Sequence, residues 1–170
     1  MKYFYDTEFI EDGKTIDLIS IGIIAEDGRT YYAISKEFNS KNASDWVVEN
    51  VLNKLPERNV NLSDVSISPR VKEESFLWKT REQIKNDIID FIGEDKPEFW
   101  AYYADYDHVA FCQLFGKMID LPKGYPMYTN DLKQLCMSKG NPKLPKTENE
   151  HNALDDAKWV KNMYEYLLTL

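Results

Sequence analysis

Cysteine is scarce in this chain of 170 residues: only Cys112 and Cys136 occur. They stand singly in apolar or helical surroundings, which excludes a CxxC metal site and a disulfide framework. No apolar run approaches the ~20 residues that a membrane span needs, so no membrane partner is expected. The opening residues read directly into a strand and carry no signal-peptide pattern. With so little cysteine, the expected setting is the reducing cytoplasm. Positive charge is also short, since 21 Lys and Arg face 29 Asp and Glu, for a net charge of -8. That argues against a generic nucleic-acid binder, which is usually basic. It leaves room for a locally basic face. Internal repeats and low-complexity segments are absent.

What is present suits a folded domain. Hydrophobic residues make up 43% of the chain and aromatic residues 14%, enough for one domain over residues 1–170 with a real core. The first strand is expected over residues 2–9. Side chains alternate between the faces of a strand, so Phe4, Asp6 and Glu8 share one face and Tyr3, Tyr5 and Thr7 the other. Residues 16–25 (IDLISIGIIA) form a near-continuous apolar run, as in a strand buried on both faces. Asp27-Gly28 closes a hairpin into a third strand over 30–38. A helix follows over 43–55, with Trp46, Val47, Val51 and Leu52 as its apolar stripe. Residues 56–79, broken by Pro56 and Pro69, read as a long flap or loop. Thr80 and Gln83 form a capping box for a helix with Ile84, Ile88 and Phe91 inward, ended by Gly93. A short strand over 99–103 leads into a helix over 106–118. An extended piece at 127–129, a helix over 131–138, a loop over 139–150 and a last helix over 152–168 complete the chain. The expectation is an α/β fold, a mixed five-stranded sheet flanked by helices: three antiparallel strands, then two more.

Within this plan several acids occupy unusual places. Two carboxylates on one strand face, Asp6 and Glu8, are hydrated if the strand runs into solvent. If buried, they need protons or cations. In the helix over 106–118, Asp107 begins the stripe continued by Phe111, Leu114 and Met118. A first-turn carboxylate is also favoured by the helix dipole. In the last helix Ala153, Ala157, Val160, Tyr164 and Leu167 form the apolar stripe. Asp156 lies beside it while Asp155 points away, and no Lys or Arg shares the row of Asp156. His151 stands five residues before Asp156, whereas His108 reads as an ordinary hydrogen-bonded or surface histidine. Oxygen-rich, cysteine-free sites suit Mg²⁺ or Mn²⁺ rather than zinc. Four acids can hold two such ions, the arrangement used for in-line phosphoryl displacement. A neutral imidazole beside them can take a proton from water. Between Lys117 and Thr147, six lysines face two aspartates. This is either a solvated surface or a face that tracks phosphates.

Asp6-Thr7-Glu8, Tyr106-Asp107 and His151-Asn152-Ala153-Leu154-Asp155-Asp156-Ala157 together resemble the three motifs of the DEDDh 3′→5′ exonucleases. The order matches, as does the His-x4-Asp spacing of the third motif. HNALDDA is especially similar to the version in ribonuclease T and its relatives, and the DTEF opening resembles that of small bacterial 3′ exoribonucleases of this kind. The resemblance implies a ribonuclease H-like fold, with Asp6, Glu8, Asp107 and Asp156 binding two Mg²⁺ or Mn²⁺ ions. It implies His151 as the general base and release of nucleoside 5′-monophosphates from single-stranded RNA 3′ ends. It also places Phe9 and Ile10 near the last base, although Phe9 suits a core position equally well. Relatives often form homodimers, which is the expectation here too. The chain departs from the pattern at Ala104, where many relatives carry Asn. A proofreading-type DNA exonuclease and a catalytically silent nucleic-acid-binding module are the alternatives.

Overall fold

The computed structural model describes residues 1–146 and 150–170. Three strands, β1 (Lys2–Glu11), β2 (Ile16–Ala25) and β3 (Thr30–Ser35), form the expected antiparallel meander. Gly28 takes φ 93° in the turn between β2 and β3, a conformation that side chains with a Cβ resist. Helix α1 covers Asp45–Asn50 and α2 covers Pro69–Ser75. They are followed by β4 (Trp78–Lys79), α3 (Arg81–Ile92), β5 (Glu98–Ala101) and α4 (Asp105–Gln113). The chain ends with β6 (Asn130–Asp131), α5 (Leu132–Ser138) and α6 (Ala153–Leu168). The sheet has six strands in the order β4-β3-β2-β1-β5-β6. Strands β5 and β6 run parallel to β1.

The alternation in β1 separates two cores. Tyr3 and Tyr5 pack with Ile21 and Ile23 of β2, with Ile84, Ile88 and Ile92 of α3 and with Phe111 of α4. Phe4 points the other way, into Leu132 and Cys136 of α5 and Val160, Tyr164 and Leu167 of α6. Helix α3 starts at the Thr80–Gln83 capping box and stops at Gly93. The buried stripe of α6 is Ala153, Ala157, Val160, Tyr164 and Leu167, as its spacing requires. Both cysteines are free and buried. Among the described residues no helix is long and apolar enough to cross a membrane.

The structure corrects several expectations. The sheet has six strands rather than five, because residues 56–79 are not one loop: they hold α2 and the edge strand β4, where Ile34 pairs with Trp78 and Ser35 with Lys79. A two-residue strand has no period to read, and its pairing is decided by the neighbour it meets. The expected third strand stops at Ser35 instead of residue 38, and the helix expected over 43–55 breaks at Val51 into α1 and a 3₁₀ turn over Leu52–Lys54. Trp46 is not core but 53% exposed. Helix α4 ends at Gln113, and Met118 lies exposed in a separate 3₁₀ turn. The extended piece expected at 127–129 falls instead at Asn130–Asp131. Residues 147–149 of the loop expected over 139–150 lie outside the described residues.

Candidate active site

One glycine sets how closely the site's two halves meet. In the register of the first hairpin, Asp6 lies opposite Gly22. A Cβ at Gly22 would lie 2.3 Å from the backbone of Ala153 and Leu154, far inside van der Waals contact. The N-terminus of α6 therefore rests directly on the strand that carries Asp6's partner. Asn152 caps that helix, its side chain accepting from the amides of Leu154 and Asp155. Two residues of the HNALDDA run thus serve geometry: Asn152 starts the helix and Ala153 is small enough to sit on the sheet.

This contact brings Asp156 over β1. Carboxylate oxygens of Asp6, Glu8 and Asp156 lie within 4.8 Å of one another. Asp107 lines the same cavity and is 5% exposed. Its Oδ1 accepts from the Thr7 amide at 2.9 Å and from Thr7 Oγ1 at 2.5 Å. Thr7 thus ties α4 to β1, and Asp107 keeps its second oxygen for other work. Beyond Glu8 the pairing with β2 shifts register, so that Phe9 pairs with Leu18. Such irregularities re-aim side chains and are common beside active sites.

His151 has φ 71°, unusual for a residue with a Cβ. Its amide donates to Asp156 Oδ2 at 2.9 Å, and its ring meets the exposed Trp46 ring edge-to-face, the centroids 4.7 Å apart. Backbone strain of this kind persists only where the surroundings enforce it. Asp155 turns away to pair with Lys158 at 3.0 Å. His108 lies on the opposite side of the sheet, with Nδ1 3.4 Å from the Tyr5 hydroxyl and the ring stacked on Phe111. Phe9 is half-buried on the cavity wall, its ring edge-on to Tyr106 at 5.9 Å. Ile10 is only 2% exposed and packs with Ile19 and Val51, so only its edge reaches the cavity. Ala104, at the start of α4, is buried and gives the helix no side-chain cap.

The electrostatics are those of an anion cluster short of positive charge. Burial pushes Asp6 well above its ordinary proton affinity, and the charges of Asp107, Glu8 and Asp156 push the same way. Glu8 rises to about 8, chiefly through burial and then through Asp156 and Asp107, while Lys54 opposes the shift. Burial lifts Asp107 to about 6 against the lowering effect of the Thr7 hydrogen bonds. Burial raises Asp156 too, and the His151 amide opposes it. Among the described residues no Lys or Arg forms an ion pair with any of the four. Clustered oxygen donors without a protein cation fit divalent metal ions.

Sequence reasoning did not single out Thr7, Gly22 or Trp46 as site residues. A glycine inside an otherwise β-branched strand is a signal of close backbone approach, and Gly22 carried it. Thr7 and Trp46 gave no signal of their own, because their roles depend on α4 and on the turn before α6.

The profile of the 3'-5' exoribonuclease Rv2179c-like domain matches residues 1–168. The 3'-5' exoribonuclease Rv2179c of Mycobacterium tuberculosis is 47% identical over 162 residues, 93% of this chain and 88% of the relative. Among solved structures, the zinc-bound E. coli ExoI–ssDNA complex matches with a TM-score of 0.57 at 12% identity, over 99% of this chain and 42% of that one. Apo exonuclease I matches with a TM-score of 0.59 at 12% identity, over 99% and 42% of the two chains. This chain thus spans less than half the length of exonuclease I, and the likeness is one of fold, the ribonuclease H-like sheet with its flanking helices. The match over nearly the whole length, by profile and by identity, settles the family: the chain belongs to the 3'-5' exoribonuclease Rv2179c-like domains.

Proposed function

We propose that the protein is a divalent-metal-dependent 3′→5′ exoribonuclease that removes nucleoside 5′-monophosphates from single-stranded 3′ ends. Residues 1–170 act as one exonuclease unit. The observation that carries this reading is the convergence of Asp6, Glu8 and Asp156 within 4.8 Å of one another, with Asp107 and His151 on the same cavity. The four carboxylates would hold the ions, Mg²⁺ or Mn²⁺. Ions of this kind supply positive charge to the attacking and leaving oxygens of a phosphodiester. The chain's own residues do the rest. His151 takes the proton of the attacking water as a neutral imidazole. Its backbone is held by the hydrogen bond that its amide donates to Asp156, and its ring by the edge-to-face contact with Trp46. Thr7 fixes Asp107 so that one oxygen faces the cavity. Phe9 offers its ring to the terminal base, and Ile10 closes the floor behind it. The expected homodimer would present two such sites.

The test is a gel assay on 5′-labelled single-stranded RNA and the matching DNA with Mg²⁺, Mn²⁺ or EDTA. Asp6→Ala serves as the control for contaminating nuclease. The expected result is a ladder that shortens RNA from its 3′ end and disappears in EDTA and in the variant. The fold shared with an exonuclease bound to single-stranded DNA supports a second reading, and equal or faster digestion of DNA would establish it. Metal binding without digestion of either would overturn the catalytic reading.

A further inference from the structure

The cavity that holds the acids is larger than they require. Its volume is about 1160 Å³, above the ~300–1,000 Å³ typical of a site for one small molecule. Beside the acids, one limb of its lining comes from the segments that follow β5 and β6: Tyr102, Tyr103, Trp159, Lys133, Lys143 and Lys146. Tyr102 and Tyr103 follow the carboxyl end of β5, and Lys133 follows that of β6. Ligands of open α/β sheets bind outside the carboxyl ends of parallel strands. From β1 to β6 are two inter-strand steps, about 10 Å in all.

This limb is built, not merely exposed. Tyr103 is 63% exposed yet takes φ 55°, a costly conformation for an aromatic residue. Its amide donates to Asp131 Oδ1 at 3.3 Å, and its ring meets Tyr102 edge-on with centroids 4.6 Å apart. Tyr102 in turn meets Trp159 at 5.1 Å, and Trp159 Nε1 donates to the Pro145 carbonyl at 2.7 Å. Lys133 is held by the Asn141 side chain at 2.9 Å. Lysines at one limb of a cavity whose other part is acidic, in a chain of net charge -8, are a local inversion of the field. Aromatic faces interleaved with lysines are the general means of holding single strands without reading their sequence.

We propose that this limb is the track for the RNA segment 5′ of the terminal nucleotide. A base stacks on Tyr103 while Lys143 and Lys146 neutralise the phosphates that follow. The inference rests on the exonuclease reading for its substrate but makes separate claims. The track confers a preference for strands longer than a dinucleotide, and its lysines make binding salt-dependent.

The test compares the protein with Tyr103→Asn, Tyr103→Phe and the double variant Lys143→Gln/Lys146→Gln. Asparagine tolerates positive φ, so Tyr103→Asn removes the ring without disturbing the backbone. Lys14→Gln, in the β1–β2 turn, is the charge control. With Mn²⁺, the preference in kcat/KM for a ten-nucleotide RNA over a dinucleotide should fall roughly 5- to 150-fold in Tyr103→Asn, the range of one lost base–aromatic stack. Tyr103→Phe should restore it. Binding of the same RNA, labelled with fluorescein and measured by anisotropy with Ca²⁺, should weaken in parallel. The double lysine variant should lower the slope of log affinity against log salt by about 1.4, at roughly 0.7 per phosphate contact. Unchanged length preference, binding and salt slope in these variants would overturn the track even in an active exonuclease. A protein that digests no RNA, yet binds it in a way that depends on Tyr103, would instead overturn the catalytic reading and uphold the track.

Discussion

Replacing Glu8 by Gln separates the energetic cost of the acid cluster from its use. Glu8 is lifted from 4.5 to about 8, chiefly by burial. Its folded-state proton affinity exceeds that of the unfolded chain, so the folded state binds more protons. Without metal, the contribution of Glu8 to stability is therefore most favourable below pH 4.5 and is lost as pH rises through the window up to about 8. At roughly 1.4 kcal/mol per pH decade, the proton that this carboxyl must take up on folding costs about 3 kcal/mol at pH 7. Burial dominates that cost, Asp156 and Asp107 add to it, and the amide of Gln remains buried in its turn, so the cost recovered by neutralising Glu8 alone is about 1.5–3 kcal/mol. For a chain of this length about 2–4 °C accompanies each kcal/mol, which gives a rise of about 3–12 °C in Tm. The assay is thermal unfolding in EDTA at pH 5, 7 and 8. Glu8→Gln should exceed the parent protein at pH 7 and 8 and nearly match it at pH 5. Mn²⁺ should reverse the order, because the parent gains more from the ion than the variant does. A Tm difference that is the same at all three pH values, or a Glu8→Gln protein less stable in EDTA at pH 8, would refute the reasoning.

Other perturbations test the remaining parts. His151→Ala should lower kcat about 10²- to 10⁴-fold while Mn²⁺ affinity by calorimetry changes little, and near-parent turnover at neutral pH would remove His151 as the base. Gly22→Ala should cost more than about 3 kcal/mol in denaturant unfolding, because the added methyl meets the α6 backbone at 2.3 Å; a stable, fully active variant would mean that α6 does not rest on β2. Thr7→Val removes the hydroxyl that lowers the proton affinity of Asp107, so protons should compete better with metal. The Mn²⁺ concentration for half-maximal activity should rise several-fold, more at pH 6 than at pH 8. Asp156→Ala should abolish activity and raise Tm in EDTA at pH 8, since it removes a half-buried anion that no Lys or Arg pairs with among the described residues; a large loss of stability would make Asp156 a structural residue.

How much of this was legible beforehand depended on whether a signal was local. The period of α6 assigned its five buried residues and set Asp156 beside them, because a helix carries its burial pattern in its own spacing. Alternation in β1 put Phe4, Asp6 and Glu8 on one face for the same reason. The capping box of α3 and the Asp-Gly hairpin were equally local. Trp46 was misread because α1 is too short for its stripe to be buried along its length, and the tryptophan meets His151 instead of the core.

The sequence by itself determined the secondary structure of the long elements, the faces of their acids and the family. Only the tertiary structure decided that β4 extends the sheet, that α6 closes on Gly22, that Thr7 holds Asp107 and that Trp46 braces His151. Each of these contacts joins residues more than 40 positions apart. No periodicity or turn preference spans such distances, and only the packing of finished elements against one another brings those atoms together.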